Sequence, residues 1–510
     1  MTRVQGAGWR VPGVAVLAVL LSAHIGSPDV YFTGRAGAYD IRVVVRPPEV
    51  VPGIARVTVR APADVHRVSI RPVFWRAGSK GAPSADDTRR VEGDSGTFAG
   101  SLWLMQRGAY SVDVIVEGPR GKANVLVPVA SVATGRLEMN PVLGGLLVAL
   151  AFVLCAGLVN IVHKGAGESL VEASHSLDPV RRSRARRVAA IAIPIIALAL
   201  LGGARWWRAV DRDYERTMYR PSPLKLALRG STLDVQASDT LWQPPRRPSA
   251  LVADHGKLMH LFLVRADDAR AFAHLHPQPT DTSAIPALVT TLPAIPGGQY
   301  HVFADVVHET GFERTLVGSV TLPDRGGSGS SAPLRDPDDA WFVGDASRDL
   351  TATLADGSTM ALEIIPTGPI QARTEATIRI NVRNPDGRPA ELEPYLGMTA
   401  HGVVVRLDGA VYVHLHPMGT ITNAAREAFL ARDRGDTTAA GRLQLATHSM
   451  HDMASVLPAA KPDSVSSTVE FPYAFPRAGS YRLFVQVKRN GRVLTGAFAL
   501  SVAEPPAATR

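Results

Sequence analysis

Six histidines in two matched sets carry the chemistry that this sequence can offer. The string His-Leu-His-Pro occurs at residues 274–277 and again at 414–417, and each copy follows an earlier histidine, His260 or His401, at a similar distance. Imidazole suits zinc, copper, iron and nickel alike. Facing residues on antiparallel strands have Cβ atoms about 4.5–5.5 Å apart, close enough for two ring nitrogens to reach one ion at about 2.0–2.1 Å. Each set therefore reads as a three-imidazole metal site.

Hairpins must position these rings. Residues 258–265 and 270–276, and likewise 400–406 and 411–416, are β-rich apolar runs separated by short polar turns. Asp408-Gly409 is a strong two-residue turn signal. Centring the register there sets His401 opposite His416 and His414 opposite Val403, with the three imidazoles on one face. In the first copy an odd-length turn over Ala266–Ala269 pairs His260 with His276 and Phe262 with His274.

Methionines lie close to these histidines in sequence: Met259, Met398, Met418, and the run His448-Ser449-Met450-His451-Asp452-Met453. Thioethers shift preference toward Cu(I), so the expected ion is copper, with zinc as the alternative. Met259, however, points to the face opposite its neighbour His260. The 448–453 run reads either as a soft-metal capture segment or as a polar loop whose methionines cover apolar surface. His255, in Asp254-His255-Gly256-Lys257, is a fourth ligand if that loop lies at the open end of the hairpin, and a solvated histidine if it does not. His301, Phe303 and Asp305 share a face of a later strand, where Asp305 could orient a ligand histidine; the matching positions hold Arg482 and Gln486, so that cluster is not duplicated. Against all of this stands a bland reading, in which His-x-His pairs are hydrogen-bonded or solvated and duplicated domains share sequence without sharing function.

Composition bounds the alternatives. The 510 residues allow three or four domains, and 46% hydrophobic residues exclude a disordered chain. The net charge of +9 is thinly spread, with no aromatic-interleaved basic patch, so no nucleic-acid partner is expected. The lone cysteine, Cys155, lies in an apolar run, which excludes an intramolecular disulfide and a thiolate cluster. No nucleophile motif, phosphate-binding glycine loop or adjacent carboxylate pair points to hydrolysis or phosphotransfer.

Three apolar segments set an expected topology. Val11 to Ala23, after Arg3 and Arg10, reads as a signal peptide or N-terminal anchor within residues 1–25. Residues 141–162 and 188–207 have the length of transmembrane helices, and the second ends in Trp206-Trp207, an interfacial signal. The intervening loop, 163–187, carries six Lys or Arg and is placed in the cytoplasm by the positive-inside rule. The remaining domains then lie on the extracytoplasmic, periplasmic side of an inner or plasma membrane.

Those domains read as three β-sandwiches. Residues 29–134 alternate strands with Gly and Pro. The turn Gly108-Ala109-Tyr110 reappears as Gly298-Gln299-Tyr300 and Gly479-Ser480-Tyr481, each entering a late strand. Three related modules follow, at 29–134, 222–323 and 338–504, with a Gly/Ser linker over 324–337 and a short helix expected within 421–445. The fold class is thus mainly β: three Ig-like or cupredoxin-like sandwiches plus two or three transmembrane helices.

The string Asp254-His255-Gly256-Lys257-Leu258-Met259-His260 with Phe272-Ala273-His274-Leu275-His276-Pro277, and Pro394-Tyr395-Leu396-Gly397-Met398 through His401 to Pro417, resembles a group of bacterial membrane-anchored extracytoplasmic proteins linked with copper and heavy-metal handling. That group usually has Gly directly before the first histidine, where this chain has Thr399-Ala400. Residues 29–134 look more distantly like small Ig-like domains of the YtkA or FixH type. The resemblance implies a metal context and no defined reaction.

Three functions compete. A membrane-anchored protein that binds copper for delivery or tolerance needs only ligands, and its partners would be the metal ion, the lipid bilayer and a copper transporter or oxidase assembly system. A copper-dependent oxidoreductase needs in addition an open coordination position and a substrate pocket. An Ig-like adhesion or scaffold protein needs none of these histidines.

Overall fold

The computed structural model describes residues 24–25, 29–169, 176, 178–237, 249–324, 334–438, 442–443 and 466–506. Residues 1–23 of the expected N-terminal signal, the Gly/Ser run 326–331 and the segment His448, Met450, His451 and Met453 lie outside them. The chain divides into two compact units, residues 133–219 and the rest.

The smaller unit holds two helices long and apolar enough to cross a membrane, Pro141–Glu168 and Pro179–Arg216. Each begins on a side-chain cap followed by proline: Asn140 accepts from the Val142 and Leu143 amides, and Asp178 accepts from that of Arg181 at 2.8 Å. These caps correct the expected basic loop over 163–187. The first helix runs on to Glu168, and the arginines at 181–187 form the first turns of the second, because Asp178-Pro179 starts a helix there and arginine is a good helix former.

The larger unit is β-rich. Residues 30–131 form two sheets, one containing Val30–Ala36, Tyr39–Arg46, Gly53–Arg60 and Asp94–Leu104, the other Arg67–Phe74, Gly108–Gly118 and Gly121–Ser131. Alternating residues of both meet in one core that includes Phe32, Val43, Val57, Val114 and Val127. Residues 222–322 fold into a curled sheet around Leu233, Leu261, Leu263 and Val302. Residues 351–503 pack a four-stranded sheet on a six-stranded one, which has as one edge strand His24–Ile25, parallel to Val411–Leu415. Ala340–Val343, read from the sequence as the start of the third module, instead pairs with Ala271–Leu275 at the edge of the second module's sheet.

The repeated Gly-x-Tyr turn has one geometry. Gly108, Gly298 and Gly479 open their strands at φ +129, +133 and +138°. Each tyrosine hydroxyl bonds the backbone four residues earlier: Tyr300 and Tyr481 donate to the Pro296 and Arg477 carbonyls at 2.7 Å, and Tyr110 accepts from the Gln106 amide at 3.2 Å.

The modules share side chains. Met398, Met418 and Ile421 of the third enter the first module's core, while Tyr31 and Val44 of the first enter the third's. Gly419 makes the junction possible, because a Cβ there would collide with the Tyr31 carbonyl. Between the second and third modules lies a further apolar layer of Phe262, Phe272 and Phe303 against Val403, Tyr412 and Phe484. Phe272 stacks on Phe484 at 4.3 Å and Phe303 on Tyr412 at 4.2 Å between ring centroids.

Candidate metal centre

Both hairpins form in the expected register. Phe262 faces His274 and Leu261 faces Leu275 in the first; Val403 faces His414 and Gly402 faces Leu415 in the second. The strands His260–Arg265, Ala271–Leu275, His401–Arg406 and Val411–Leu415 are buried on both sides. One side of each, such as Leu261 and Leu263, lines its own module's core, and the other, such as Phe262 and Val403, lines the layer between modules. The histidines occupy that second side, so the two hairpins present their imidazoles to each other, sealed at one end by the aromatic stack.

All six histidines are at most 8% exposed. His260, His274 and His276 can each direct one nitrogen into a group spanning no more than 4.8 Å, as can His401, His414 and His416. The triads are near copies: ring centroids of His274–His276 and His414–His416 lie 4.5 and 4.4 Å apart, those of His260–His276 and His401–His416 5.2 and 5.1 Å.

Hydrogen bonds fix which nitrogens are available. His274 Nδ1 faces Gln486 Oε1 at 2.8 Å, His276 Nδ1 faces Asp339 Oδ1 at 3.0 Å and His416 Nδ1 faces the Ile421 carbonyl at 3.0 Å. His414 Nδ1 lies 3.5 Å from Asp305 Oδ2, and His401 Nε2 lies 3.2 Å from the Tyr395 carbonyl. The Gln486, Asp339, Ile421 and Tyr395 oxygens are acceptors, which favours the ring proton of His274, His276, His416 and His401 on the facing nitrogen and a lone pair on the opposite one. His401 Nδ1, opposite the nitrogen that faces the Tyr395 carbonyl, lies 3.1 Å from His414 Nε2. Two ligands of a tetrahedral ion at about 2.0–2.1 Å are separated by about 3.3–3.4 Å. His260 Nδ1 and His274 Nε2 repeat the 3.1 Å approach.

Burial disfavours the charged form of five of these rings. Desolvation first, then neighbouring imidazoles, hold His260, His274, His401 and His414 well below the usual histidine range, and desolvation lowers His416 to about 4. Desolvation likewise raises Asp305 to about 6, against hydrogen bonds from Thr315 and Tyr412.

Several buried atoms make no hydrogen bond among the described residues: Nε2 of His260, His276 and His416 and Oδ2 of Asp339, while Nε2 of His255 and Oδ2 of Asp254 meet each other at 3.4 Å. Each unpaired atom costs about 1–3 kcal/mol, so the four without any contact together take a sizeable part of a domain's net stability. A cation would satisfy imidazole lone pairs and carboxylate charge together. The donor set, imidazole with carboxylate nearby, fits a divalent transition metal.

His255 joins the centre. It sits on a left-handed turn at φ 52°, its ring 5.6 Å from both His401 and His416, and it forms a further ligand group with Asp254 and His416. Met259, Met398 and Met418 do not join it. Met259 packs with Leu261 and Leu263 in the second module's core, and Met398 and Met418 fill the first module's core. Strand alternation turns Met259 away; the other two satisfy an apolar junction. Among the described residues no thioether argues for Cu(I).

Four contributors were not anticipated. Asp336 and Asp339 form a ligand group with His276, in an acidic run just before the misplaced strand 340–343. Asp254 accepts from the Ala424 amide at 2.9 Å, at the start of the helix Asn423–Arg434 that fulfils the expected helix in 421–445. Gln486, set aside as unlike Asp305, is its structural counterpart: Asp305 pairs across from His260 and Gln486 across from His401.

The fold and site thus define a β-rich protein with two apolar helices and a buried histidine–carboxylate centre able to hold a metal ion. A family model described as a domain of unknown function (DUF8832) matches residues 229–322 and 352–504, which cover both histidine modules. No curated protein matches. Solved structures that align include a tetra-tandem repeat of a large adhesion protein, at 10% identity over 89% of this chain and 71% of that one, with a TM-score of 0.14. A putative membrane anchored protein from Corynebacterium diphtheriae aligns at 9% identity over 94% and 97%, with a TM-score of 0.16. The ICAM-5 D1-D4 ectodomain fragment aligns at 10% over 92% and 77%, at 0.15. TM-scores this low establish no common fold.

Proposed function

We propose that this chain is a membrane-anchored metal-binding protein that holds a transition metal, copper before zinc, in the histidine centre between its second and third β modules. The observation that carries the reading is the convergence of two buried three-histidine sets, in which His401 Nδ1 and His414 Nε2 approach to 3.1 Å. Imidazole with carboxylate, and no thioether among the described donors, favours Cu(II) or Zn(II) over Cu(I). The chemistry needed is capture and retention, for delivery or tolerance, and requires no catalytic group.

The Gly-x-Tyr corners support an Ig-like assignment of the modules, since a tyrosine bonding back a few residues upstream is a hallmark of that sandwich. The basic run at Arg181–Arg187 favours a cytoplasmic connection between the two apolar helices and an extracytoplasmic centre. A partner on that side, a metal transporter or an oxidase assembly complex, fits the topology and the resemblance to copper-handling proteins.

The test is to purify the full chain in detergent, load it separately with Cu(II) and Zn(II), and measure bound metal by mass spectrometry beside a variant carrying H274A, H276A, H414A and H416A. Copper retained through gel filtration and lost in a folded variant is the expected result. Equal metal in both proteins overturns the proposal.

A further inference from the structure

Resting on the metal-binding reading above, we infer that the centre takes two ions side by side, one on each triad, and that His255 completes the second. Three observations carry this.

The first is proximity. Ring centroids of His260 and His414 lie 5.4 Å apart, those of His274 and His414 5.8 Å, and those of His274 and His401 6.3 Å. These distances between modules are close to the 5.3–5.4 Å of His260–His274 and His401–His414 within a module. No protein layer separates the triads. Yet each triad gathers one nitrogen from each of its own three rings within 4.8 Å, in near-identical geometry, so the array is a pair of three-nitrogen sets rather than one six-coordinate shell.

The second is exchange of supporting groups. Gln486 of the third module orients His274 of the second, and Asp305 of the second faces His414 of the third. Each triad is finished by the other module, so neither set is complete unless the two are docked.

The third is charge. Asp336 and Asp339 lie beside His276, and Asp254 and Asp305 beside His416 and His414. Lys257, at 2.7 Å from Asp336, offsets one of the four. Anions near both triads suit two dications better than one, because a lone dication would leave carboxylates uncompensated on the opposite side. His255 supplies the asymmetry: it belongs to the second module but reaches His401 and His416, and its counterpart on the matching left-handed turn of the third module is Leu396. The first ion would thus have three imidazoles and the second four.

Cu(II) is the probe, because two nearby Cu(II) ions couple magnetically. The full chain in detergent is titrated with Cu(II), and bound metal is compared with the integrated electron paramagnetic resonance signal. Two ions per chain, with a signal well below two spins or bearing dipolar splitting and a half-field line, is the expected result. H276Q and H416Q should each lower binding from two ions to one and restore the signal of an isolated ion. Two ions giving two uncoupled spins overturns the pairing, as does one ion per wild-type chain abolished by either variant. Failure of the wild-type chain to bind copper or zinc would instead sink the metal-binding reading itself. The wild-type spin count decides the matter even if a variant does not fold.

Discussion

Gln486 Oε1 lies 2.8 Å from Nδ1 of His274, across the boundary between two modules that are 212 residues apart at these positions. A carbonyl-type acceptor there fixes the ring tautomer and turns Nε2 toward the centre, and such outer contacts are worth about 10–100-fold in metal affinity. Q486L, which keeps the volume and removes the acceptor, should weaken the tighter-bound Cu(II) or Zn(II) by about that factor or leave one ion weak, read by chelator competition. Unchanged affinity for both ions would mean that the contact does not orient a ligand.

Asp339 offers a variant that separates the empty from the loaded protein. Its Oδ1 accepts from the His276 amide at 2.7 Å and from His276 Nδ1 at 3.0 Å, while Oδ2 has no partner among the described residues. D339N retains an acceptor for both hydrogen bonds and removes a buried charge. The metal-free protein should change little in stability, since an unpaired amide nitrogen replaces an unpaired oxygen, and the metal-loaded protein should lose affinity. Thermal melts with and without metal measure both; a destabilised empty protein would show that the carboxylate serves structure instead.

The hairpins, their registers and the shared face of each triad were legible in the sequence because period-two alternation and turn chemistry are local. The meeting of the two faces was not. It is written in runs such as Val411-Tyr412-Val413-His414-Leu415, which carry no polar side and so must be covered twice, but such a run does not name what covers it. Asp339 and Gln486 were missed for the same reason: each acts on a histidine of another element, at a distance that spacing cannot reveal. The methionines misled for two reasons: adjacency to His260 places Met259 on the opposite face of its strand, and Met398 and Met418 fill an apolar junction with the first module that spacing cannot reveal.

Met418 distinguishes core from ligand. It is 1% exposed within the first module's core. M418L, nearly isosteric, should leave metal stoichiometry and affinity unchanged, whereas M418A should cost about 2–5 kcal/mol through the cavity it leaves. Chemical denaturation of the metal-free chain reads the second and metal titration the first. Loss of copper in a stable M418L protein would return the thioether to the donor set.

His308 sets a limb of the acid stability curve apart from the metal. Its Nδ1 lies 2.8 Å from the Ser249 carbonyl, and desolvation, aided by Arg314, lowers it from 6.5 to about 4. A histidine depressed in the folded state binds fewer protons there than in the unfolded chain, so its cost is absent above the unfolded value near 6.5 and grows as pH falls toward about 4. Over that window the loss from this one residue is about 3 kcal/mol. Glu313 opposes it: desolvation raises its carboxyl to about 7, although Thr422 donates to it, so the folded protein gains stability as pH falls from about 7 toward 4.5. H308N, which keeps a donor near the Nδ1 position and cannot be protonated, should therefore resist acid better than the wild-type chain between pH 6.5 and 4, and E313Q should remove part of the compensating gain. The two variants should shift the metal-free melting curve in opposite directions as pH is lowered; parallel shifts would mean that neither group titrates as its surroundings dictate.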